Sequence, residues 1–347
     1  MRFGSAPSTH PAPNLVLASL LLAALQSCGD SGPTLAGPVD GGRAMAHVEK
    51  FVEIGPRPFG SDNLAKTADY ITGQIEAIGL KPLRHEVEHK AEKKTIRNLY
   101  TVVPGEDPDA GPILMIGAHY DTKVTDGCAE WTHEEPFVGA IDGGGAPAVL
   151  LELARAIKDK KPKCNVWLYW IDAEESIDWK WNDERALLGS EAFGKMLSKE
   201  KILPRVKAFV LLDLIGSKNF KIDKDGNSSQ KLIDLFGKVA KDNNVDKWLY
   251  EFPTDQDRDN MRRMGQTAWG TIDDHMNFTK RGVPSVLLID FARRTPGIED
   301  PNYERWWHTP DDNLDAMSSS ALAFTGNLVM AAFDELEAFV LGKKKGK

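Results

Sequence analysis

The sequence predicts a three-layer α/β/α fold: a central, mostly parallel mixed sheet with helices on both faces. Three observations carry this. Apolar runs of strand length recur, and such runs are typical of strands buried on both faces. Helical periodicity stands between them, as in chains that wind a parallel sheet. No internal repeat or low-complexity block interrupts the alternation.

Helical spacing is read over Ala44–Ile54 and Asn63–Ile78, with Gly79 as the stop. Leu83–Glu88 and Asn98–Val103 read as an antiparallel strand pair. Pro112–Ala118 is an unbroken apolar strand, and Ala146–Ile157 a helix with Leu150, Leu153, Ala154 and Ile157 on one face. Asn165–Ile171 is a second buried strand, Leu188–Leu197 a helix, and Lys207–Leu214 a third strand. Lys231–Lys241 is helical, Pro284–Asp290 is another buried strand, and Ser319–Leu341 is a long final helix.

The chain has 347 residues, 41% apolar and 27% charged, enough for one large domain. Its net charge of −8 argues against a nucleic-acid partner. Asn14 to Ala24 holds an apolar run with the length of a signal-peptide core, followed by Leu25-Gln26-Ser27-Cys28. We expect a signal peptide over 1–27 and a bacterial lipoprotein anchored to a membrane through a lipidated Cys28, exported to the periplasmic side. A tether over 28–43, a single domain over 44–342 and a basic tail over 343–347 complete the expected layout. The other cysteines, Cys128 and Cys164, would be free to pair in an oxidising compartment.

In open α/β sheets, ligands sit beyond the carboxyl ends of the strands. The strand ends here carry acids and histidines. His119-Tyr120-Asp121 leaves the first buried strand, where an imidazole can bind metal and a carboxylate can orient it. Asp172-Ala173-Glu174-Glu175 leaves the next, and such close acids repel unless a cation or shared protons intervene. Asp142 precedes Gly143-Gly144-Gly145, a run that lacks the following Lys and Ser/Thr of a phosphate loop. Asp213 lies within the apolar strand Lys207–Leu214, flanked by Leu212 and Leu214, Asp273-Asp274-His275 precedes the last strand, and Trp306-Trp307-His308-Thr309 follows it. Oxygen and nitrogen donors of this kind suit Zn²⁺. His275 reads as a structural hydrogen-bonder, and Trp167 and Trp170 as core.

These segments, in this order, resemble the animal-type glutaminyl-peptide cyclotransferases, whose fold is shared with zinc aminopeptidases. The carriers are Gly117–Thr122, Phe137–Asp142, Asp172–Glu175, Leu212–Gly216, Asp273–His275 with Arg281–Pro284, and Trp307–Thr309. The resemblance spans about Val48 to the final helix. It implies one zinc on Asp142, Glu175 and His308, Glu174 as the general acid/base, and Asp213 and Asp273 as buried carboxylates beside it. It makes Trp307 a pocket wall, with Trp179 or Trp181 as another. His119 and Asp121 are candidates for a second metal or for supporting positions. The implied reaction closes the N-terminal Gln of a peptide or protein to pyroglutamate with release of ammonia. A monomer is expected, although the sequence leaves the oligomeric state open.

Two other readings stay open. A dinuclear zinc aminopeptidase would use His119, Asp142, Glu175, Asp213 and His308 on two ions, with Asp142 bridging. A peptide-capturing lipoprotein with a dead site would keep the fold without needing Glu174.

Overall fold

The computed structural model describes residues 32–265, 269–291 and 307–343. The expected signal peptide and Cys28 lie outside the described residues. The chain joins the domain sooner than the expected boundary at Ala44. Val39 is buried, its amide donating to Asn327 Oδ1 at 2.9 Å, and Asn327 Nδ2 donates to the carbonyl of Leu35. Helix α1 (Gly41–Ile54) then starts on the side chain of Asp40, which accepts from the amides of Gly42 and Arg43.

Helix α2 (Asp62–Ile78) is capped by Ser61 and ends on Gly79 in the left-handed conformation, as its sequence predicts. Strands β1 (Leu83–His89) and β2 (Lys94–Val103) form the expected antiparallel pair. After them come β3 (Ile113–His119), α3 (Gly145–Lys158), β4 (Asn165–Ile171), α4 (Leu188–Lys199) and β5 (Val206–Asp213). Then α5 (Gln230–Asp242), α6 (Asp255–Arg263), α7 (His275–Thr279), β6 (Ser285–Ile289) and α8 (Ser319–Val340) complete the domain.

The six strands lie in the order β1-β2-β4-β3-β5-β6. β4, β3, β5 and β6 are parallel, while β2 joins β4 antiparallel. Every residue of β3, β4 and β6 is buried, which explains their near-continuous apolar character. Helices α1, α3 and α8 pack on one another on one face of the sheet, and α4 and α7 cover the other. The chain leaves central β3 to build β4 on one side, then returns past it to build β5 on the other. That reversal opens a crevice at the carboxyl ends of β3, β4 and β5.

Two helices escape the sequence reading. α6 buries none of its residues and so shows no apolar stripe; only its capping box, Thr254 with Asp257, marks it. α7 has five residues, too few for a period to be visible. Cys128 and Cys164 are both free thiols, Cys164 buried, so the disulfide that export would permit is not formed.

Candidate active site

Each of three strands delivers donors into the crevice. His119 is the last residue of β3 and is buried. Glu174 and Glu175 follow β4 across Ala173, whose backbone is left-handed (φ 55°). Asp213 ends β5 and is followed by left-handed Leu214 (φ 48°). His308, on the segment leading to α8, is left-handed as well (φ 53°). Each such non-glycine residue costs about 1 kcal/mol, a strain the fold carries at the turns where these side chains converge.

Asp142 sits between β3 and α3. Its amide and that of Ile141 donate to Asp312, at 3.0 and 2.6 Å. Gly143 beside it has φ 74°, and a Cβ there would stand 2.0 Å from the carbonyl oxygen of Asp121. Only glycine lets the loop fold so tightly against the end of β3. Arg57, fully buried, ties the same loop down by donating to the carbonyls of Val138 and Gly139 at 2.9 and 2.8 Å.

The side chains assemble into two trios that share Asp142. In one, His308 Nε2 lies 3.0 Å from Glu175 Oε1 and 3.3 Å from Asp142 Oδ2. In the other, His119 Nε2 lies 2.9 Å from Asp213 Oδ1 and 3.3 Å from Asp142 Oδ1. Zinc bonds of about 2.0–2.1 Å in a tetrahedron set ligand atoms about 3.3 Å apart. The donor separations fit that edge, and Asp142 Oδ2 is a buried acceptor with no hydrogen-bond partner among the described residues. The residues therefore fit a zinc ion.

Asp121 belongs to neither trio. Its two carboxylate oxygens accept the amides of Glu174 (3.1 Å) and Glu175 (3.2 Å), and Oδ1 lies 3.5 Å from His119 Nδ1. It is a support that aims the acidic turn and the imidazole. His275 stands away from the trios, buried with Nε2 3.3 Å from Asp225.

The electrostatics follow from crowding acids in a dry place. Burial raises the pKa of Glu174 well above the ordinary carboxylate range; His119 opposes this, and the charges of Glu175, Asp273 and Asp274 reinforce it. Asp273 is raised for the same reasons, by burial and by Asp213 and Asp274. Asp274 is pushed up to about 7. Burial alone would lower His308, but Glu175 and Asp142 outweigh it and lift it to about 9. In Asp142 the order reverses: burial would raise it, yet the two histidines hold it below the ordinary range.

A cavity of about 410 Å³ opens over these groups. Asp142, Glu174, Glu175, Asp213, Asp273 and His308 line its floor. Trp307 stacks on the His308 ring, with centroids 3.9 Å apart. Both Trp179 and Trp181 line the cavity, so each of the two expected alternatives forms wall. Trp269, Phe291 and Lys123 are among the lining residues that the sequence does not single out. Lys123 is buried, donates to the carbonyls of Ser176 (2.7 Å) and Asp178 (3.0 Å), and approaches Glu175 Oε2 at 3.7 Å. Its place two residues after Asp121 was its only visible signal.

Comparison with known proteins agrees with this geometry. The chain is 26% identical over 287 residues to a glutaminyl-peptide cyclotransferase of Drosophila melanogaster, covering 79% of this chain and 75% of the fly protein. It is 27% identical over 244 residues to aminopeptidase YwaD of Bacillus subtilis, covering 70% of this chain and 45% of that one. Across such relatives it spans from just under half to three quarters of their length. A crystal structure of an Acidobacteriales bacterium glutaminyl cyclase superposes with a TM-score of 0.71 at 26% identity, covering 88% of this chain and 98% of the other. The family match and these relatives support an enzyme of the glutaminyl cyclase or M28 peptidase kind. Residues 98–333 match peptidase family M28, and the chain belongs to that family.

Proposed function

We propose that this chain is a zinc-dependent glutaminyl-peptide cyclotransferase, converting the N-terminal Gln of peptides or proteins to pyroglutamate with release of ammonia. The observation that carries the reading is Glu174. It is a carboxyl of raised pKa on the floor of a small cavity walled by Trp179, Trp181, Trp269, Phe291 and Trp307, beside the Asp142–Glu175–His308 trio.

Asp142, Glu175 and His308 would hold the zinc, which when bound supplies Lewis-acid polarisation of a substrate carbonyl. The aromatic walls press the methylenes of the glutamine so that its own α-amine faces its side-chain carboxamide carbon. Holding one folded conformer is most of what an intramolecular reaction needs. The same walls keep out water, the nucleophile that would hydrolyse the amide instead. A new bond forms from the α-nitrogen to the carboxamide carbon, and the old bond to the amide nitrogen breaks. Glu174 accepts the proton that the amine loses and returns one to the departing nitrogen, which leaves as ammonia. A raised pKa suits a carboxyl that must serve as base and then acid. Asp273 and Asp274 contribute by keeping that pKa up.

The aminopeptidase reading is favoured by one observation, the second trio His119–Asp142–Asp213. Two assays on purified protein separate them. Ammonia release and mass loss from a Gln-initiated peptide, without free amino acid, supports the cyclase. Free leucine from Leu-initiated peptides would overturn it in favour of the hydrolase. Export and anchoring through Cys28 belong to the same reading; Cys28→Ser should shift the protein from the membrane to the soluble fraction.

A further inference from the structure

The catalytic cavity, at about 410 Å³, holds a first residue and little more, so the rest of a peptide must leave over its rim. One rim residue is Ile272, an apolar side chain 48% exposed. A second hollow of about 690 Å³ begins on the other side of the same residue. It runs between the end of β1, where Val87 is 38% exposed, and the first turns of α4. The two hollows share Ile272, so the groove lies directly beside the catalytic cavity, across that one side chain.

Its charge is lopsided. Glu88 and Glu184 are exposed on its walls with no ion-pair partner among the described residues. Glu191 is already neutralised by Arg281 (2.8 Å) and Lys195 (3.2 Å). Asp183 accepts the indole N–H of Trp181 at 2.6 Å. Against these, Lys280 is the one lining cation not engaged in a salt bridge among the described residues.

We propose that this groove binds the segment of the substrate peptide downstream of its second residue, and that it selects basic side chains there. The proposal rests on the peptide-substrate reading above. The chain passes over Ile272, lays apolar side chains against Val87 and Ile272, and presents cations to Glu88 and Glu184. Selection acts on binding, because these groups lie outside the reacting centre.

The test uses a Gln-initiated dipeptide amide and two Gln-initiated hexapeptides with Lys or Glu at positions three to six. Ammonia release is measured at low ionic strength with the zinc-loaded protein and its Glu88→Lys/Glu184→Lys variant. Exposed ion pairs are individually weak, so about a threefold preference per engaged charge is expected. The Lys hexapeptide should therefore lead the Glu hexapeptide by about tenfold in KM, with kcat alike. The variant should reverse that order and leave dipeptide turnover unchanged, and added salt should flatten both effects. Equal KM values for the two hexapeptides, or an order unaltered in the variant, overturn the groove. Calorimetric binding of the same hexapeptides separates the two ideas, since it needs no turnover. Charge-selective binding without ammonia from any peptide overturns the reaction and keeps the groove. A dimer that the charge reversal dissociates would assign this face to a second copy and overturn the proposal.

Discussion

Replacing Glu174 with Gln keeps volume and shape and leaves the amide bond to Asp121 intact. It removes the one lining carboxyl assigned to proton transfer. Positioned acid/base groups contribute about 10²–10⁴-fold, so kcat should fall by that factor, or about 2.7–5.4 kcal/mol in barrier. KM and zinc content should hold, because the zinc donors are other residues. The variant should also be more stable in the metal-free state, with a definite pH signature. Burial and the neighbouring acids raise the folded pKa of Glu174 above the unfolded value of about 4.3. Below that value the group is protonated in both states and costs nothing. As pH rises from about 4.3 through the folded pKa, the wild type loses stability that the Gln variant keeps. The gap in melting temperature should be near zero at pH 4 and favour the variant by pH 8. Steady-state ammonia release and thermal melts of chelator-treated protein read both effects. Residual kcat above a tenth of wild type, or no gap at pH 8, would refute the role given to this side chain.

Asp121→Ala should cost about 3 kcal/mol, from two charge-assisted bonds to the Glu174 and Glu175 amides lost in a buried place. A denaturant midpoint lowered with unchanged slope, together with lost zinc affinity, checks this. Gly143→Ala should abolish zinc binding or folding, since its Cβ would stand 2.0 Å from a backbone oxygen and its φ is 74°; metal analysis and circular dichroism of the purified variant read it. Glu152 gives a pH test remote from the site. Burial would raise it, but His47, Arg43 and Arg155 win and hold it at about 2. That stabilisation is present above the unfolded value of about 4.3 and is lost as pH falls towards 2. Wild type and Glu152→Gln should therefore converge in stability between pH 4 and 2; a gap constant over that range would remove the pairing.

Strands were legible in the sequence because burial on both faces leaves an apolar run, and β4 matches its expected bounds. The floor of the site was legible for a related reason: acids and histidines are conspicuous where they interrupt such runs, as His119 and Asp213 do. The supports were not legible. Arg57 and Asp312 act on loop backbone 82 and 170 residues away, respectively, by hydrogen bonds that leave no local pattern. Lys123 likewise bonds carbonyls 53 and 55 residues distant. Asp312, lifted to about 8 by burial and by Asp142, is as perturbed as the residues it positions, yet lies in an ordinary Asp311-Asp312-Asn313 turn. Trp269 and Phe291 line the cavity from irregular segments, where no period marks which side chains turn inward.

One zinc or two is decided by what each trio already satisfies. Asp142 Oδ2 stands 3.3 Å from His308 Nε2 but makes no hydrogen bond among the described residues. A buried acceptor left so costs about 1–3 kcal/mol, which a cation on the His308 side would relieve. In the other trio, Asp213 Oδ1 already accepts the amide of Leu214 at 2.7 Å and closes on His119 at 2.9 Å. A cation there must break both of these contacts, whereas on the His308 side only the 3.0 Å contact between His308 and Glu175 is lost. The first equivalent of zinc should therefore bind tightly and depend on His308, and a second should bind at least about a hundredfold more weakly, a difference of about 2.7 kcal/mol. Calorimetric titration of chelator-treated protein measures this, with His308→Ala removing the tight step and His119→Ala sparing it. Two equivalents of equal affinity would turn the chemistry towards the dinuclear hydrolase, because Asp142 would then bridge two ions where the cyclase needs only one.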